Sequence, residues 1–292
     1  DEKNIASVSV RVEDYKRPTF EITFNPVEEA FCLGDTVDVT GNVKAYNGTA
    51  IQDVPLTYTV TRRSNRRYWG DGAVSLVSDT VQLDAKGNFS IPVVLKPDTD
   101  ADNTGRERFS YQIEVAVTSD TGETQTSHYF LNATRRAYFF VSDISRELCK
   151  EDSISGMLSV MNADNETLSM EGMCRLYPVL DSKTGKISDK PVYESAFMPG
   201  EKKDFTAWKQ LPSGEYRLIL SVRGRDGKEV SNADNAVNIV LFSLKDERPA
   251  VFMETFLYEK NTKYDATPPA IFYFCTSMKD AYVLVDVFGQ KG

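Results

Sequence analysis

The stretch Gly34-Asp35-Thr36-Val37-Asp38-Val39-Thr40-Gly41 alternates polar and apolar residues, which predicts a half-buried β-strand with one wet face. The same alternation recurs in Val8-Ser9-Val10-Arg11-Val12, Leu56-Thr57-Tyr58-Thr59-Val60 and Ile113-Glu114-Val115-Ala116-Val117. No apolar stripe with helical spacing runs for ten residues or more. The sequence therefore predicts an all-β chain.

Turn signals separate these strands at short intervals. They are Asn47-Gly48, Ala85-Lys86-Gly87-Asn88, Asp120-Thr121-Gly122 and Asp226-Gly227-Lys228. Such regular spacing is typical of antiparallel β-sandwiches of the Ig-like or fibronectin-III-like kind. A length of 292 residues suits two or three such domains in tandem.

An internal repeat supports the tandem arrangement. The Gly34–Gly41 stretch and the following Ala45-Tyr46-Asn47-Gly48 are echoed by Glu151-Asp152-Ser153-Ile154-Ser155-Gly156 and Asn162-Ala163-Asp164-Asn165. Junction signals fall near Pro18, Arg135-Arg136 and Pro249. We therefore predict the last strand of a preceding domain at 1–15, sandwiches at 16–138 and 139–247, and the opening strands of a further β domain at 248–292.

Charge and hydropathy restrict the partners. The net charge is −9, which disfavours nucleic acid and anionic lipid as partners. No stretch approaches the roughly 20 apolar residues that a membrane span needs, and the first residues do not form a signal peptide. We expect any export signal or membrane anchor to lie outside this segment.

The four cysteines are Cys32, Cys149, Cys174 and Cys275, and none has the close spacing of a metal site. We expect them to be free thiols in the core. A Cys149–Cys174 disulfide is the alternative in an oxidising compartment.

One string carries a family resemblance. The residues Val12-Glu13-Asp14-Tyr15-Lys16-Arg17-Pro18-Thr19-Phe20-Glu21-Ile22, with Leu33-Gly34-Asp35 and Tyr46-Asn47-Gly48, resemble bacterial alpha-2-macroglobulin-like proteins. The resemblance is strongest over residues 8–60. It implies a multidomain extracytoplasmic array of macroglobulin-type sandwiches, periplasmic or on the cell surface, that traps proteases. The Cys-Gly-Glu-Gln thioester of that family is absent from this segment.

No catalytic, cofactor-binding or metal-ligating residue is predicted. His128 is the only histidine, and its strand-like context Thr126-Ser127-His128-Tyr129-Phe130 favours a structural or surface role. The acidic run Asp98, Asp100 and Asp102 lacks the glycine and glutamate of a calcium loop. A solvated loop is the preferred interpretation, and an irregular calcium site is the alternative.

The best candidate for binding is a basic and aromatic loop in an otherwise acidic protein. It contains Arg62, Arg63, Arg66, Arg67, Tyr68 and Trp69, residue types that are enriched at interface hot spots. The alternative is a solvated hairpin extension with Trp69 folded onto the sandwich.

The sequence thus suggests a non-catalytic structural and interaction segment of an alpha-2-macroglobulin-like protease inhibitor. Its expected partners are proteases, acting through the full-length protein, and neighbouring macroglobulin domains. The alternative is a carbohydrate- or protein-binding sandwich array of a surface adhesin.

Overall fold

The computed structural model describes residues 18–64, 73–97, 108–259, 272–282 and 284. The strand predicted within 1–15 lies outside these residues. The chain divides into two compact units, residues 1–27 with 31–137 and residues 28–30 with 138–292. Within the described part, no helix has the length and hydrophobicity to span a membrane.

In its described residues, the first unit has seven antiparallel strands in two sheets. Its strands are β1 (Phe20–Phe24), β2 (Thr36–Ala45), β3 (Pro55–Ser64), β4 (Ala73–Gln82), β5 (Asn88–Val94), β6 (Arg108–Thr118) and β7 (Thr124–Thr134). One sheet has the order β1-β2-β5 and the other the order β4-β3-β6-β7. The predicted alternation is confirmed, because every second residue of β5 and β6 is buried.

The core of the first unit collects the inward residues of both sheets. Val39, Leu56, Ile91, Ile113 and Val115 are each fully buried. Burial of such side chains, at roughly 25 cal/mol per Å² of apolar surface, is the main force that holds the two sheets together.

The second unit is also nearly all β. Its strands are β8 (Phe139–Ser142), β9 (Glu147–Cys149), β10 (Ser155–Met161), β11 (Gly172–Asp181), β12 (Lys186–Ile187), β13 (Tyr193–Phe197), β14 (Lys202–Asp204), β15 (Gly214–Arg223), β16 (Glu229–Ser231), β17 (Val237–Phe242), β18 (Phe256–Glu259) and β19 (Phe272–Cys275). Two short 3-10 turns span Thr206–Gln210 and Ala233–Asn235.

The described strands of the second unit form three sheets. A three-stranded sheet has the order β14-β10-β8, and a seven-stranded sheet has the path β12-β11-β15-β17-β9, with β13 on β11 and β16 on β15. The pair β9–β17 is parallel. The strands β18 and β19 form a separate antiparallel two-stranded sheet, called the ribbon below. The all-β prediction is therefore confirmed in both units.

Aromatic residues fill the core of the second unit. Trp208 is fully buried, with ring centroids 4.4 Å from Phe205 and 5.7 Å from Tyr193. The hydroxyl of buried Tyr216 donates to the Pro212 carbonyl at 2.7 Å. This contact resembles the tyrosine corner of Ig-like sandwiches, in which a buried tyrosine satisfies its hydroxyl on backbone a few residues upstream.

The internal repeat is present in the backbone hydrogen bonds. Equivalent contacts recur with residue numbers that differ by 117. The hydrogen bond from Asp35 N to Cys32 O matches that from Asp152 N to Cys149 O, and the bond from Ala45 N to Thr49 O matches that from Asn162 N to Glu166 O. The bond from Ile51 N to Val43 O matches that from Leu168 N to Val160 O. The isolated bridge Lys44–Ala50 likewise matches Met161–Thr167. The two units therefore share one local design over this stretch.

Five tight turns share a hydrogen-bond pattern. The first residue donates its N–H to the carbonyl four residues later, and the fourth residue donates back to the first. The fourth residues, with their φ angles, are Gly48 at 87°, Gly87 at 75°, Gly122 at 78°, Asn165 at 66° and Gly227 at 76°. Hairpin loops of three residues need this left-handed position, which glycine and asparagine tolerate best.

Gly87 and Gly122 allow a matched test of this geometry. A Cβ on Gly122 would meet nothing within 4 Å, whereas one on Gly87 would overlap the Val43 carbonyl oxygen. We expect Gly122→Ala to cost about 1–2 kcal/mol, the left-handed penalty alone. Gly87→Ala should cost roughly 1–3 kcal/mol more, because backbone must move. Denaturant unfolding of both variants measures the difference, and equal losses would contradict the predicted clash.

Candidate functional site

The structure places only part of the predicted basic and aromatic loop. Arg62 and Arg63 lie near the end of β3, and Arg66, Arg67, Tyr68 and Trp69 lie outside the described residues. Arg63 is exposed, but Arg62 is only 9% exposed. Arg62 lies on the inward face of β3 with Tyr58 and Val60. The period-two pattern of the strand therefore predicts that its side chain is buried.

Arg62 joins two segments of the first unit. Its guanidinium donates to the carbonyls of Lys96 at 3.1 Å and Pro97 at 2.6 Å, and it lies 5.3 Å from the Phe109 ring centroid. The Tyr111 hydroxyl also donates to the Lys96 carbonyl, at 2.8 Å. Burial raises the pKa of Tyr111, so this hydroxyl stays protonated as a donor.

Substitution of Arg62 should therefore destabilise the first unit. We expect Arg62→Met to cost about 1.5–3 kcal/mol, because two carbonyls lose a charged donor. The adjacent Arg63→Met is the matched control and should stay within about 0.5 kcal/mol. Urea unfolding compares the two variants. Similar losses in the free energy of unfolding would show that the hydrogen bonds of Arg62 do not stabilise the unit.

The acidic run Asp98, Asp100 and Asp102 lies outside the described residues. Pro97, whose carbonyl binds Arg62, directly precedes it. In the described part of the chain, no three histidine, cysteine or acidic side chains are grouped as metal ligands would be.

His128, for which the sequence favours a structural or surface role, is an exposed residue of β7. It faces Glu114 across the strand pair, and its ring lies edge-on to Phe130 with centroids 5.2 Å apart. Cross-strand neighbours of this kind stabilise a sheet face.

All four cysteines are free thiols. Cys149, Cys174 and Cys275 are buried and Cys32 is half-buried, which confirms the expectation of core thiols. The Cys149–Cys174 disulfide is not present, since both cysteines are free. The Cys149 thiol donates to Glu151 and the Cys174 thiol to the Ser195 carbonyl, both at 3.2 Å. Burial raises the pKa of Cys149 to about 11, so its thiolate is not favoured.

Sequence reasoning missed an aromatic cluster where the ribbon packs on the large sheet of the second unit. We call it the junction cluster; its buried members are Cys149, Phe242, Phe256 and Cys275, with Leu244, Ala250, Met253, Tyr258 and Tyr273 around them. The Phe242 ring lies 4.9 Å from Phe256, 5.2 Å from Tyr258 and 6.3 Å from Tyr273. The first two pairs are edge-on and the third is stacked, and aromatic pairs of these kinds add about 0.5–1.5 kcal/mol each beyond burial.

Polar contacts frame the junction cluster. The Tyr258 hydroxyl donates to the Asp152 carboxylate, and the Tyr273 hydroxyl donates to the Asp246 carbonyl at 3.0 Å. The Lys150 N–H donates to the Phe242 carbonyl at 2.8 Å. Both tyrosines thus keep an apolar ring in the cluster and a hydrogen-bonded hydroxyl at its edge, which fixes the position of the ribbon.

Glu151 is the most perturbed carboxylate at this junction. Burial alone would raise its pKa, but hydrogen bonds from the Ser243 hydroxyl, the Leu244 N–H and the Cys149 thiol lower it to about 2. The charged form is therefore part of the folded junction.

The sign of the pH dependence follows from this lowered pKa. Glu151 has a folded pKa of about 2 against an ordinary value of 4.5, so its contribution is complete above pH 4.5 and is lost as the pH falls towards 2. We expect Glu151→Gln to flatten the acid limb of the stability of the second unit. Denaturation midpoints at pH 7, 5 and 3 measure it, with Glu147→Gln as control. An unchanged acid limb in Glu151→Gln would refute the assignment.

A second feature that the sequence did not predict is a charge network on the outer face of the large sheet. Arg175 on β11 donates to Glu194 on β13 at 2.7 Å, to the Ser221 hydroxyl at 3.0 Å and to Glu229 on β16. The two glutamates raise the pKa of Arg175. Through Arg175, the two glutamates and the Ser221 hydroxyl, the network ties four strands together.

No protein-family model and no curated protein matches the sequence. Among solved structures, the native conformation of E. coli alpha-2-macroglobulin shares 12% identity with a TM-score of 0.37, over 86% of this chain and 18% of that chain. The chain is similar to bacterial alpha-2-macroglobulins.

Two further structures illustrate the range of similarity. Trypsin-activated alpha-2-macroglobulin from E. coli has the same identity and TM-score and is covered over 19% of its length. A tetra-tandem repeat from the extending region of a large adhesion protein shares 12% identity with a TM-score of 0.25, over 76% of this chain and 49% of that one. The present chain spans less than a fifth of these two macroglobulin structures. Similarities this weak carry no argument about its activity.

Proposed function

We propose that this chain is a non-catalytic structural and interaction segment of a bacterial alpha-2-macroglobulin-like protease inhibitor. The observation that carries the proposal is the tandem use of one sandwich design, with hydrogen bonds repeated at a constant offset of 117 residues. The Val12–Ile22 string and its companions point to the same family.

In this proposal each domain keeps its own fold, and the packing between domains sets the position of the bait and trapping elements elsewhere in the protein. Residues 1–15 end a preceding domain, 16–138 and 139–247 are macroglobulin-type sandwiches, and 248–292 open a further domain. The full-length protein is periplasmic or on the cell surface. Cleavage of a remote bait segment changes the packing between domains and thereby encloses the protease.

Limited proteolysis of the full-length parent protein tests this function. Several proteases are applied, the first cut is mapped, and the radius of gyration is followed by small-angle scattering. We expect a cut outside this segment together with a large compaction. The same proteases with their active sites blocked are the control and should produce neither effect.

Cleavage without a change of shape would overturn the proposal and favour a passive binding array such as an adhesin. In that case a glycan array would identify the ligand class. The same glycan array tests the proposed interaction loop of Arg66, Arg67, Tyr68 and Trp69. We expect this loop to bind proteins and therefore to give no signal on the glycan array.

A further inference from the structure

β4, the edge strand of the four-stranded sheet, exposes part of the apolar face of that sheet. Among the described strands it pairs with β3 alone, and nearly all of its residues are exposed. Val74 and Val77 lie on the inward face, opposite Arg62 and Val60 of β3. They are 44% and 38% exposed, whereas Val60 is only 1% exposed. The inward apolar face therefore continues past the part that the three-stranded sheet covers.

The hydrogen bonds between β3 and β4 show which backbone groups of β4 point away from β3. The Leu83 N–H donates to the Val54 carbonyl at 3.2 Å. Hydrogen-bonded and non-hydrogen-bonded pairs alternate along an antiparallel ladder, so the next non-bonded residues of β4 are Gln82, Thr80 and Ser78. Their N–H and C=O groups point to the free edge, where a further strand can pair with them.

The smaller sheet of this unit has an edge strand, β5, that a proline protects. The Leu95 N–H donates to the Asp35 carbonyl at 2.8 Å, and the same alternation turns the backbone of Pro92 in β5 outward. Pro92 has no N–H, so the β5 edge lacks a donor that an added strand needs. β4 contains no proline and only one charged residue, Asp79. Of these two edges, β4 is the one that can accept a strand.

Asp79 occupies one of the donors at the free edge of β4. Its carboxylate accepts the Thr80 N–H at 2.8 Å, and it shares the inward face with Val77 and Val81. It lies opposite buried Tyr58, whose pKa is raised by burial and further by the Asp79 charge. Within the described residues, Asp79 makes no ion pair. A cation on an added strand would therefore draw this carboxylate away from the Thr80 N–H and free that N–H for pairing.

We propose that the free edge of β4 binds an extended protein segment as a further strand, with a lysine or arginine opposite Asp79 and an apolar residue two positions away on each side. The apolar residues pair with Val77 and Val81, and backbone hydrogen bonds form with Ser78 and Thr80. The cation gives selectivity, because an acidic residue at that position meets Asp79 as a like charge. A second copy of this chain is disfavoured, because each copy carries a net charge of −9. This site lies in the first unit alone and does not depend on membership of a protease inhibitor.

Two designed peptides test the site on the present 292-residue chain. They are fluorescein-labelled Thr-Val-Thr-Arg-Thr-Val-Thr and the same sequence with glutamate in place of arginine, and fluorescence anisotropy gives the Kd of each. We expect the arginine peptide to bind about fivefold more tightly than the glutamate peptide. Asp79→Lys should invert this order. Asp120→Lys is the matched control: it changes the net charge equally at an exposed turn residue and should keep the order.

Thr80→Pro separates strand addition from simple charge attraction. It removes one N–H at the free edge and leaves the ladder to β3 intact, because the Thr80 N–H does not point to β3. We expect binding of the arginine peptide to weaken at least about tenfold in Thr80→Pro, since a backbone hydrogen bond is lost and the ring blocks the edge. Thr80→Val keeps the N–H and should bind like the wild type. Thermal melts followed by circular dichroism check that each variant is folded.

Equal Kd values for the two peptides, or an order that Asp120→Lys also inverts, would overturn the proposal. Unchanged binding in a folded Thr80→Pro variant would overturn it too, and so would absence of binding by both peptides. Self-association of the chain that Thr80→Pro removes would make a second copy the occupant and would also contradict it. If Thr80→Pro does not fold, the charge inversion in Asp79→Lys decides alone.

Discussion

Phe242→Ala is expected to destabilise the second unit by about 3–5 kcal/mol, since it removes a buried ring from a packed cluster and leaves a cavity. Phe242 is only 3% exposed and contacts the rings of Phe256, Tyr258 and Tyr273. Those three residues all belong to the ribbon, so the ribbon should detach before the rest of the unit unfolds. Hydrogen exchange of β18 and β19 measures this detachment, and denaturant unfolding measures the total loss.

Phe130→Ala is the control for Phe242→Ala, because it removes the same ring from a site that is 45% exposed. Substitutions at such surface positions usually change stability by no more than about 0.5 kcal/mol. If Phe242→Ala left the exchange of the ribbon at its wild-type rate, the junction cluster would not be what holds the ribbon.

Trp208→Ala should cost the second unit a similar amount, about 3–5 kcal/mol. Trp208 is fully buried and lies between Phe205 and Tyr193 in the centre of the aromatic core. Unfolding followed by far-UV circular dichroism measures the loss. Because the two units have separate cores, the transition of the first unit should keep its midpoint.

Trp208→Phe separates ring packing from the indole N–H. In the described part of the chain the Trp208 Nε1 has no hydrogen-bond partner, although it is buried. An unsatisfied buried donor costs about 1–3 kcal/mol, so its removal offsets part of the lost ring volume. We expect Trp208→Phe to lose less than half of what Trp208→Ala loses. A loss as large as that of alanine would show that packing alone determines the cost.

The strands and turns of this protein could be predicted from local sequence because both depend on local physics. Alternation in Thr36–Ala45 places every second side chain on one face, and Gly87 and Gly122 stand where the backbone is left-handed. The internal repeat could be recognised in the sequence for a related reason. The turns at Ala45–Thr49 and Asn162–Glu166 use the same backbone geometry, which only a few residue types accept.

Arg62 shows where composition misled the prediction. Composition places it with Arg63, Arg66 and Arg67 in a basic and aromatic loop, yet its position on β3 turns it inward to the Lys96 and Pro97 carbonyls. The period-two alternation of β3 predicts that the Arg62 side chain points inward. The carbonyl acceptors were not predictable, because they come from a segment more than thirty residues away.

The sequence by itself determined the all-β class, the tandem sandwiches, the hairpin turns and the repeat, since periodicity and turn chemistry act over a few neighbouring residues. Only the tertiary structure decided that Cys149, Phe242, Phe256 and Cys275 share one cluster, that Asp152 binds Tyr258 and that Arg175 links Glu194 to Glu229. The physical reason is that these partners are brought together by the packing of whole sheets. Such packing depends on the summed burial of many apolar side chains and leaves no local pattern at any one of them.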